Sequence, residues 1–506
     1  MNPLQDRSRE QKNPKPCILV IFGASGDLTN RKLVPALYNL SKEGLLPSHF
    51  ACVGFARREK SNDDFRKEML DGIEKYSRTK PLDQDIWKNF SEHLFYHRSE
   101  FDNDEGYESL KTLLADLEKK FETGGNVIFY LSVPPSYFPD IVGRLNKHGL
   151  INKTKDKFTR VIIEKPFGTD LKSAIALQND LTKHLDENQI YRIDHYLGKE
   201  TVQNLLVFRF TNPIFETLWN HDHIDNVQIT VAEEIGIGTR GKFWEEAGML
   251  RDIVQNHMMQ LVSLVAMEPP INLSADSIRD EKVKVVQAIR PFPLNHLEKH
   301  IIRGQYGTGL VNGEEVKGYR QEDNVSPESR VETYVACKLF IDNWRWANVP
   351  FYLRAGKRLP KRVTEISITF KRAPLVLFQN PQNMLQPNVL VIRIQPDEGI
   401  SLKMNCKVPG LNTMIQPVKM DFRYGSYFGS TPPEAYERLI VDCMAGDSTL
   451  FARDDEVVAS WELFTPVLEH WHSEKGPHFP NYESGTWGPH TADELIKEEG
   501  REWRRL

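Results

Sequence analysis

Apolar positions in the first two hundred residues fall into short continuous runs, separated by stretches with helical spacing. Cys17 to Phe22 is one such run; it opens onto Gly23-Ala24-Ser25-Gly26-Asp27-Leu28, after which Leu33, Leu37, Tyr38 and Leu40 recur at helical intervals. Ala51 to Ala56 is a second, ending in Arg57-Arg58, and Val127 to Val133 a third, ending in Pro134-Pro135. Val161-Ile162-Ile163 leads into Glu164-Lys165-Pro166-Phe167-Gly168, and a helical pattern then covers Asp170 to His184. Strands that read as unbroken apolar runs are covered on both faces, so the pattern predicts a parallel α/β sheet with helices on either side.

Beyond residue 200 the period shortens to two. Val227 to Val231, Glu365 to Phe370 and Val389 to Ile394 alternate as half-buried strands do, which predicts a second, α+β domain with a large, mostly antiparallel sheet. One strongly helical stretch, Gly248 to Met267, sets Leu250, Ile253, Val254, Met258, Leu261, Leu264 and Val265 on a single stripe. The tail after Trp471 is rich in Gly, Pro and His, with a short helix expected from Thr491. The expected division is therefore 15–199 for the α/β domain and 200–506 for the α+β domain.

Composition narrows the class. A chain of 506 residues is long enough for two or three units with real cores. Its 65 Lys+Arg against 70 Asp+Glu give a net charge of -5, without the basic excess of a dedicated nucleic-acid binder. Apolar runs such as Cys17 to Phe22 fall far short of the ~20 residues of a membrane span, and the polar first sixteen residues do not read as a secretory signal. Cys17, Cys52, Cys337, Cys406 and Cys443 show no CxxC or metal-ligand spacing. They read as reduced thiols in the cytoplasm, with neither metal nor disulfides expected.

Candidate chemistry follows the strand ends. Glycines between a buried strand and a helix let backbone N–H groups approach a pyrophosphate, which Gly23 and Gly26 would allow. The spacing is GxxGDL, not GxGxxG, and an ordinary strand–turn–helix connection fits it about as well. Arg57-Arg58 after the second strand is either a solvated pair at a strand end or a cofactor contact: NAD enzymes place an acidic residue there, whereas an arginine suits the 2′-phosphate of NADP. Tyr191 to Glu200 packs Arg192, Asp194, His195, Tyr196 and Lys199 beside a helix start, a donor set suited to a phosphate dianion or to a solvated strand end. His257 lies on the apolar stripe of its helix, where a satisfied core histidine is the ordinary explanation. Polar Arg251, Asp252, Gln255 and Asn256 beside it point to proton transfer instead. On α geometry Asp252, five positions earlier, stands about 140° round the helix from His257, so the two would line different walls. Lys165 follows a strand, and Leu353 to Arg362 reads as a basic loop after another, either solvated or serving a phosphate.

Taken together, IFGASGDLTNRKL, GFARR, YLSVPP, IIEKPFG, RIDHYLGKE, GTRGKFWEEAGMLRDIVQNH, PFYLRAGKRLPKR, IRIQPDEGISLKMN and CMAGDSTLFARDDEV resemble, in order, the glucose-6-phosphate dehydrogenase family over about residues 17 to 470. The resemblance implies a Rossmann-type NADP-binding domain and hydride transfer from C1 of glucose 6-phosphate to NADP. The product would be 6-phospho-D-glucono-1,5-lactone, in the first step of the oxidative pentose phosphate route. It implies that His257 is the base, oriented by Asp194. It further implies that Lys165, His195, Tyr196, Lys199, Glu233, Asp252, Lys357 and Arg362 bind substrate. Gly23, Ala24, Ser25, Gly26, Asp27, Leu28, Arg57 and Lys165 would bind cofactor, with the Lys165–Pro166 peptide cis and the chain a homodimer or homotetramer associating through the large sheet. Asn30 stands where a lysine is common, at what should be the solvated end of the glycine turn. Animal members hold a second, structural NADP. Arg354 and Arg393 fit that pattern, but Val363, Ser367 and Ser401 replace a lysine, an arginine and a tyrosine, so a second site is expected to be absent or weak. A dehydrogenase of another sugar phosphate or of free hexose, or a catalytically silent NADP-binding sensor, is the competing reading.

Overall fold

The computed structural model describes residues 14–154, 156–373, 385–429, 432–473 and 476–506. Residues 1–13, most of the polar stretch read above as no secretory signal, lie outside them. The chain forms two compact units. The first takes in the described residues up to Lys199 together with two later segments, Pro270–Asp280 and Pro433–Val458.

The sheet of the first unit contains β1 (Cys17–Phe22), β2 (Phe50–Ala56), β3 (Leu94–Arg98), β4 (Val127–Leu131), β5 (Thr159–Glu164) and β6 (Ile190–Ile193). Their order is β6-β5-β4-β1-β2-β3, all parallel, and Phe451–Ala452 adds a seventh strand antiparallel to β6. All six residues of β1 are buried, as its unbroken apolar run requires. Ile18, Val20 and Phe22 share a core with Tyr107, Leu110 and Leu114 from helix Asp104–Phe121 and Ile141, Val142 and Leu145 from helix Phe138–Lys147. Each such side chain contributes about 1.5–3 kcal/mol through burial. Capping fixes where helices begin: Ser61 and Asp64 form a reciprocal box at the start of helix Asn62–Tyr76, and Asp170 with Ser173 does the same for helix Leu171–Thr182.

The second unit comprises Glu200–Pro269, Glu281–Pro432 and Ala459–Leu506. Its main sheet contains β7 (Ile224–Ala232), β8 (Ile301–Gly304), β9 (Tyr334–Leu339), β10 (Phe351–Gly356), β11 (Val363–Phe370), β12 (Val389–Gln395), β13 (Gly399–Lys407) and β14 (Ile415–Arg423). In the order β14-β13-β12-β11-β7-β10-β9-β8 every neighbouring pair is antiparallel except β7 and β10. The predicted class, a Rossmann-like α/β fold followed by an α+β fold on a mostly antiparallel sheet, is the observed one. The tail contributes Tyr482–Ser484 to a small three-stranded sheet and ends in helix His490–Lys497, where a helix was expected.

Leu353 to Gly356 differ from expectation: they belong to β10 and not to a solvated loop. Arg354 is buried because the tail encloses it, with its guanidinium 4.9 Å from the Trp487 ring centroid and 4.6 Å from that of Trp503. It donates to Thr230 Oγ1 at 3.0 Å and to the Arg504 carbonyl at 3.2 Å, so aromatic faces and acceptors replace water around the charge.

Candidate functional site

In the first unit the expected residues stand at the carboxyl ends of parallel strands, the edge where open α/β sheets bind ligands. Gly23 follows β1 with φ +82°, and a Cβ on it would lie 2.2 Å from the Ser132 carbonyl oxygen, so the position admits only glycine. Gly26 closes the turn by donating its N–H to the Gly23 carbonyl at 2.9 Å. Ala24 is buried, Ser25 and Leu28 are half-buried, and Asp27 is exposed and paired with Arg31 at 2.7 Å. Asn30 is not at a solvated end: its amide donates to the Glu68 carbonyl at 3.2 Å, in space left by Gly72.

A cavity of about 350 Å³ adjoins this turn, lined in part by Gly23, Ser25, Gly26 and Arg57. Neither Arg57 nor Arg58 has a side-chain hydrogen bond or ion pair among the described residues, and of the two it is Arg57 that lines the cavity. A free cation beside a turn with glycine at two positions fits a dinucleotide carrying a ribose phosphate. Sequence reasoning missed Glu100, Phe101, Asp102 and Tyr137 in the same lining; Phe101 and Tyr137 meet edge to face at 5.4 Å. No apolar run announces them, because β3 ends in polar residues.

Lys165 follows β5 through a cis peptide to Pro166. Next to it Glu164, which sequence reasoning passed over, accepts from Tyr130 Oη at 2.5 Å and from Tyr436. Burial pushes the Glu164 carboxyl up to about 7, against the opposing influence of both hydroxyls and the Lys165 ammonium. Tyr436 belongs to the segment that returns to this unit late in the chain, so no local spacing could have paired it with Glu164.

Asp194 follows β6 and is 3 % exposed. Its carboxylate accepts the Tyr196 N–H at 2.9 Å and its carbonyl accepts from Leu197 at 3.0 Å, which folds the chain into a tight turn. On that turn the His195 and Tyr196 rings meet edge to face at 5.1 Å, and Lys199 Nζ lies 4.1 Å from the Tyr196 ring centroid. The structure thus brings His195, Tyr196 and Lys199 together. Gly198 permits it, since a Cβ there would sit 2.7 Å from the Ala435 carbonyl oxygen.

In the second unit Glu233 and Lys357 follow the parallel neighbours β7 and β10, where Ala232 and Gly356 are in register. They form an ion pair, with Lys357 buried and its Nζ 5.0 Å from the Trp244 ring centroid. Arg362 is exposed and makes no ion pair or hydrogen bond to Glu233 among the described residues.

The helix expected from Gly248 to Met267 is present with a different geometry. Gly248 breaks it from the preceding turn at φ +64° and ψ 177°, and Glu332 takes the place of a cap, accepting the Leu250 N–H at 3.0 Å. Burial raises the Glu332 carboxyl above its ordinary range. Leu250–Met258 is then a π-helix and Met259–Ala266 an α-helix. Hydrogen bonds from i to i+5 widen each turn, so Asp252 and His257 come closer to one face than the 140° of α geometry allowed. His257 is 1 % exposed and donates its N–H to Asn256 Oδ1 at 2.6 Å; Asp252 is half-buried.

Residues 20–204 match the family described as "Glucose-6-phosphate dehydrogenase, NAD binding domain", and residues 206–504 match "Glucose-6-phosphate dehydrogenase, C-terminal domain". A glucose-6-phosphate 1-dehydrogenase of Chlamydia pneumoniae is 59% identical over 497 residues, 97% of this chain and 96% of that one. Glucose-6-phosphate 1-dehydrogenase 2 of Mycobacterium tuberculosis is 44% identical over 508 residues, 100% of this chain and 98% of that one. Among solved structures, a glucose-6-phosphate dehydrogenase in complex with its substrate glucose 6-phosphate superposes with a TM-score of 0.89 at 38% identity, covering 97% of this chain and 99% of the other. The Mycobacterium avium enzyme superposes with a TM-score of 0.83 at 35% identity and the same coverage.

Proposed function

Because this chain belongs to the glucose-6-phosphate dehydrogenase family, we propose how its own residues divide the work of oxidising glucose 6-phosphate at C1 to 6-phospho-D-glucono-1,5-lactone. NADP, when bound, takes up the hydride. Gly23, Ala24, Ser25, Gly26, Asp27 and Leu28 hold its pyrophosphate on bare backbone, and Arg57 meets the 2′-phosphate. His195, Tyr196 and Lys199 grip the 6-phosphate of the sugar. Lys165 touches both sugar and nicotinamide, while Glu233, Asp252, Lys357 and Arg362 orient the ring. His257 removes the C1 hydroxyl proton, so that no isolated cation builds up at the carbon. Asp194 orients that imidazole and stabilises the imidazolium it becomes. One observation supports this division above the rest. Gly23, Arg57, Lys165 and Asp194 each follow the carboxyl end of a parallel strand in the first unit, and Glu233 and Lys357 do so for the parallel pair of the second.

We also propose a cytoplasmic homodimer or homotetramer associating through the large sheet. Supporting it, β14 and the helix after it expose Val418, Met420, Tyr427 and Phe428. Among the described residues no helix is long and apolar enough to cross a membrane. A second, structural dinucleotide is inferred to be absent or weak, because Arg354 is enclosed by Trp487 and Trp503 and Val363, Ser367 and Ser401 are small and buried.

The test is reduced-nicotinamide formation by purified protein with glucose 6-phosphate or glucose, each with NADP or NAD, alongside His257→Asn. Turnover should require the phosphate and favour NADP, and the variant should bind glucose 6-phosphate normally while turnover falls by about 10³-fold or more. Near-wild-type turnover in a folded variant removes His257 as the base. No turnover in the wild type, with NADP still bound, favours a sensor.

A further inference from the structure

The loop from Arg57 to Ser61, between β2 and helix Asn62–Tyr76, carries the free guanidinium that lines the dinucleotide cavity. An arginine on a wandering loop must order both backbone and side chain when it meets a phosphate, which weakens the contact. This loop does not wander, because its residues are tied down one after another. Ser61 and Asp64 cap the helix, Lys60 pairs with Glu68, and Glu59 pairs with Arg98 at 3.3 Å. The remaining tie comes from the neighbouring strand. Tyr96 on β3 stands in register with Gly54 of β2, and its ring reaches past the end of that strand. Its hydroxyl donates to the Arg58 carbonyl at 2.5 Å, with the Ala56 carbonyl oxygen 3.2 Å away. It therefore bridges the backbone on both sides of Arg57. The ring itself is fixed, lying 5.4 Å from the Phe65 ring and beneath Lys60 Nζ at 6.0 Å, and the Tyr96 N–H donates to Asn62 Oδ1 at 2.7 Å.

We propose that Tyr96 is a positioning residue for NADP selectivity: its hydroxyl clamps the Ala56 and Arg58 carbonyls and so holds the backbone that carries Arg57 in place, leaving only the side chain to order when its guanidinium meets the 2′-phosphate. The inference rests on the reading of Arg57 given above. Tyr96 touches no reacting group and acts only through Arg57. Phenylalanine in its place would keep the ring packing and lose the clamp.

The experiment is equilibrium binding of 2′,5′-ADP and of 5′-AMP, by calorimetry, to the full chain and to Tyr96→Phe, Arg57→Ala and the double variant. Tyr96→Phe should weaken 2′,5′-ADP about 3- to 10-fold, the worth of one hydrogen bond, and leave 5′-AMP unchanged. In the Arg57→Ala background the same substitution should change neither ligand further. Unchanged 5′-AMP binding also establishes that the site is folded. Equal weakening of both ligands by Tyr96→Phe, no weakening, or an undiminished effect in the Arg57→Ala background would overturn the proposal. If Arg57→Ala itself leaves the preference for 2′,5′-ADP intact, the reading of Arg57 fails. If Arg57→Ala abolishes that preference and Tyr96→Phe does not disturb it, the role of Tyr96 alone is lost.

Discussion

Replacing Glu164 by Gln should remove a pH dependence built into the first unit. The carboxyl has an ordinary value of 4.5 and stands at about 7 in the folded chain. The folded state therefore binds this proton more tightly than the unfolded state does. The stability it confers is complete below pH 4.5 and is lost as pH rises through 7. At 1.36 kcal/mol per pH unit the full effect is about 3 kcal/mol, and the remaining solvent access of Glu164 brings the expectation to about 2–3 kcal/mol. Gln keeps the shape and an acceptor for Tyr130 or Tyr436 but does not titrate. Urea denaturation of both proteins at intervals between about pH 5 and 8 isolates the residue and the groups coupled to it, because titrations independent of Glu164 cancel in the difference. The wild type should fall relative to the variant by that amount across the range. Stability curves that run parallel would refute the raised value and, with it, the argument that burial outweighs the Lys165 charge and two hydroxyl donors.

Two further outcomes are expected. Gly248→Ala forces a side chain onto φ +64° and places its Cβ 2.5 Å from Glu332 Oε1, so the variant should lose about 1–3 kcal/mol in thermal or urea unfolding, with reduced turnover because the π-helical segment bearing His257 starts two residues further on; unaltered stability and rate would contradict this. Met420→Glu places a charge on the exposed face of β14, and in sedimentation equilibrium it should shift the protein towards the protomer, whereas an unchanged mass would move the interface elsewhere.

Elements that bury both faces were the most legible, because burial writes itself as an apolar run. β1 was expected at the residues where it occurs, β2 began one residue earlier, and β5 was longer by three. Polar elements were opaque: β3 and β14 carry too few buried positions to show a period, and Asn62–Tyr76 offers only Phe65, Met69 and Ile73 as buried apolar positions at helical spacing. The geometry of the candidate site was readable where hydrogen bonding is local, as in Asp194 to Lys199, whose turn is held by its own carboxylate and amides. Arg354 was misread because its aromatic partners lie more than a hundred residues away in the tail. The π geometry at His257 escaped because hydrophobic spacing assumes 3.6 residues per turn.

The seventh strand of the first unit has a consequence for the nascent chain. Arg192 and Ala452, neighbours across that edge, are 260 residues apart. At ribosomal speeds of about 5–20 residues per second, β6 emerges roughly 13 to 50 seconds before its partner exists. For that interval its outer row of amide and carbonyl groups has no β-partner from Phe451–Ala452 and can template pairing with another chain. Chaperone demand and aggregation during overexpression should therefore track how quickly the ribosome reaches residue 452, and a fragment ending at Lys199 should be sticky however well its own core packs.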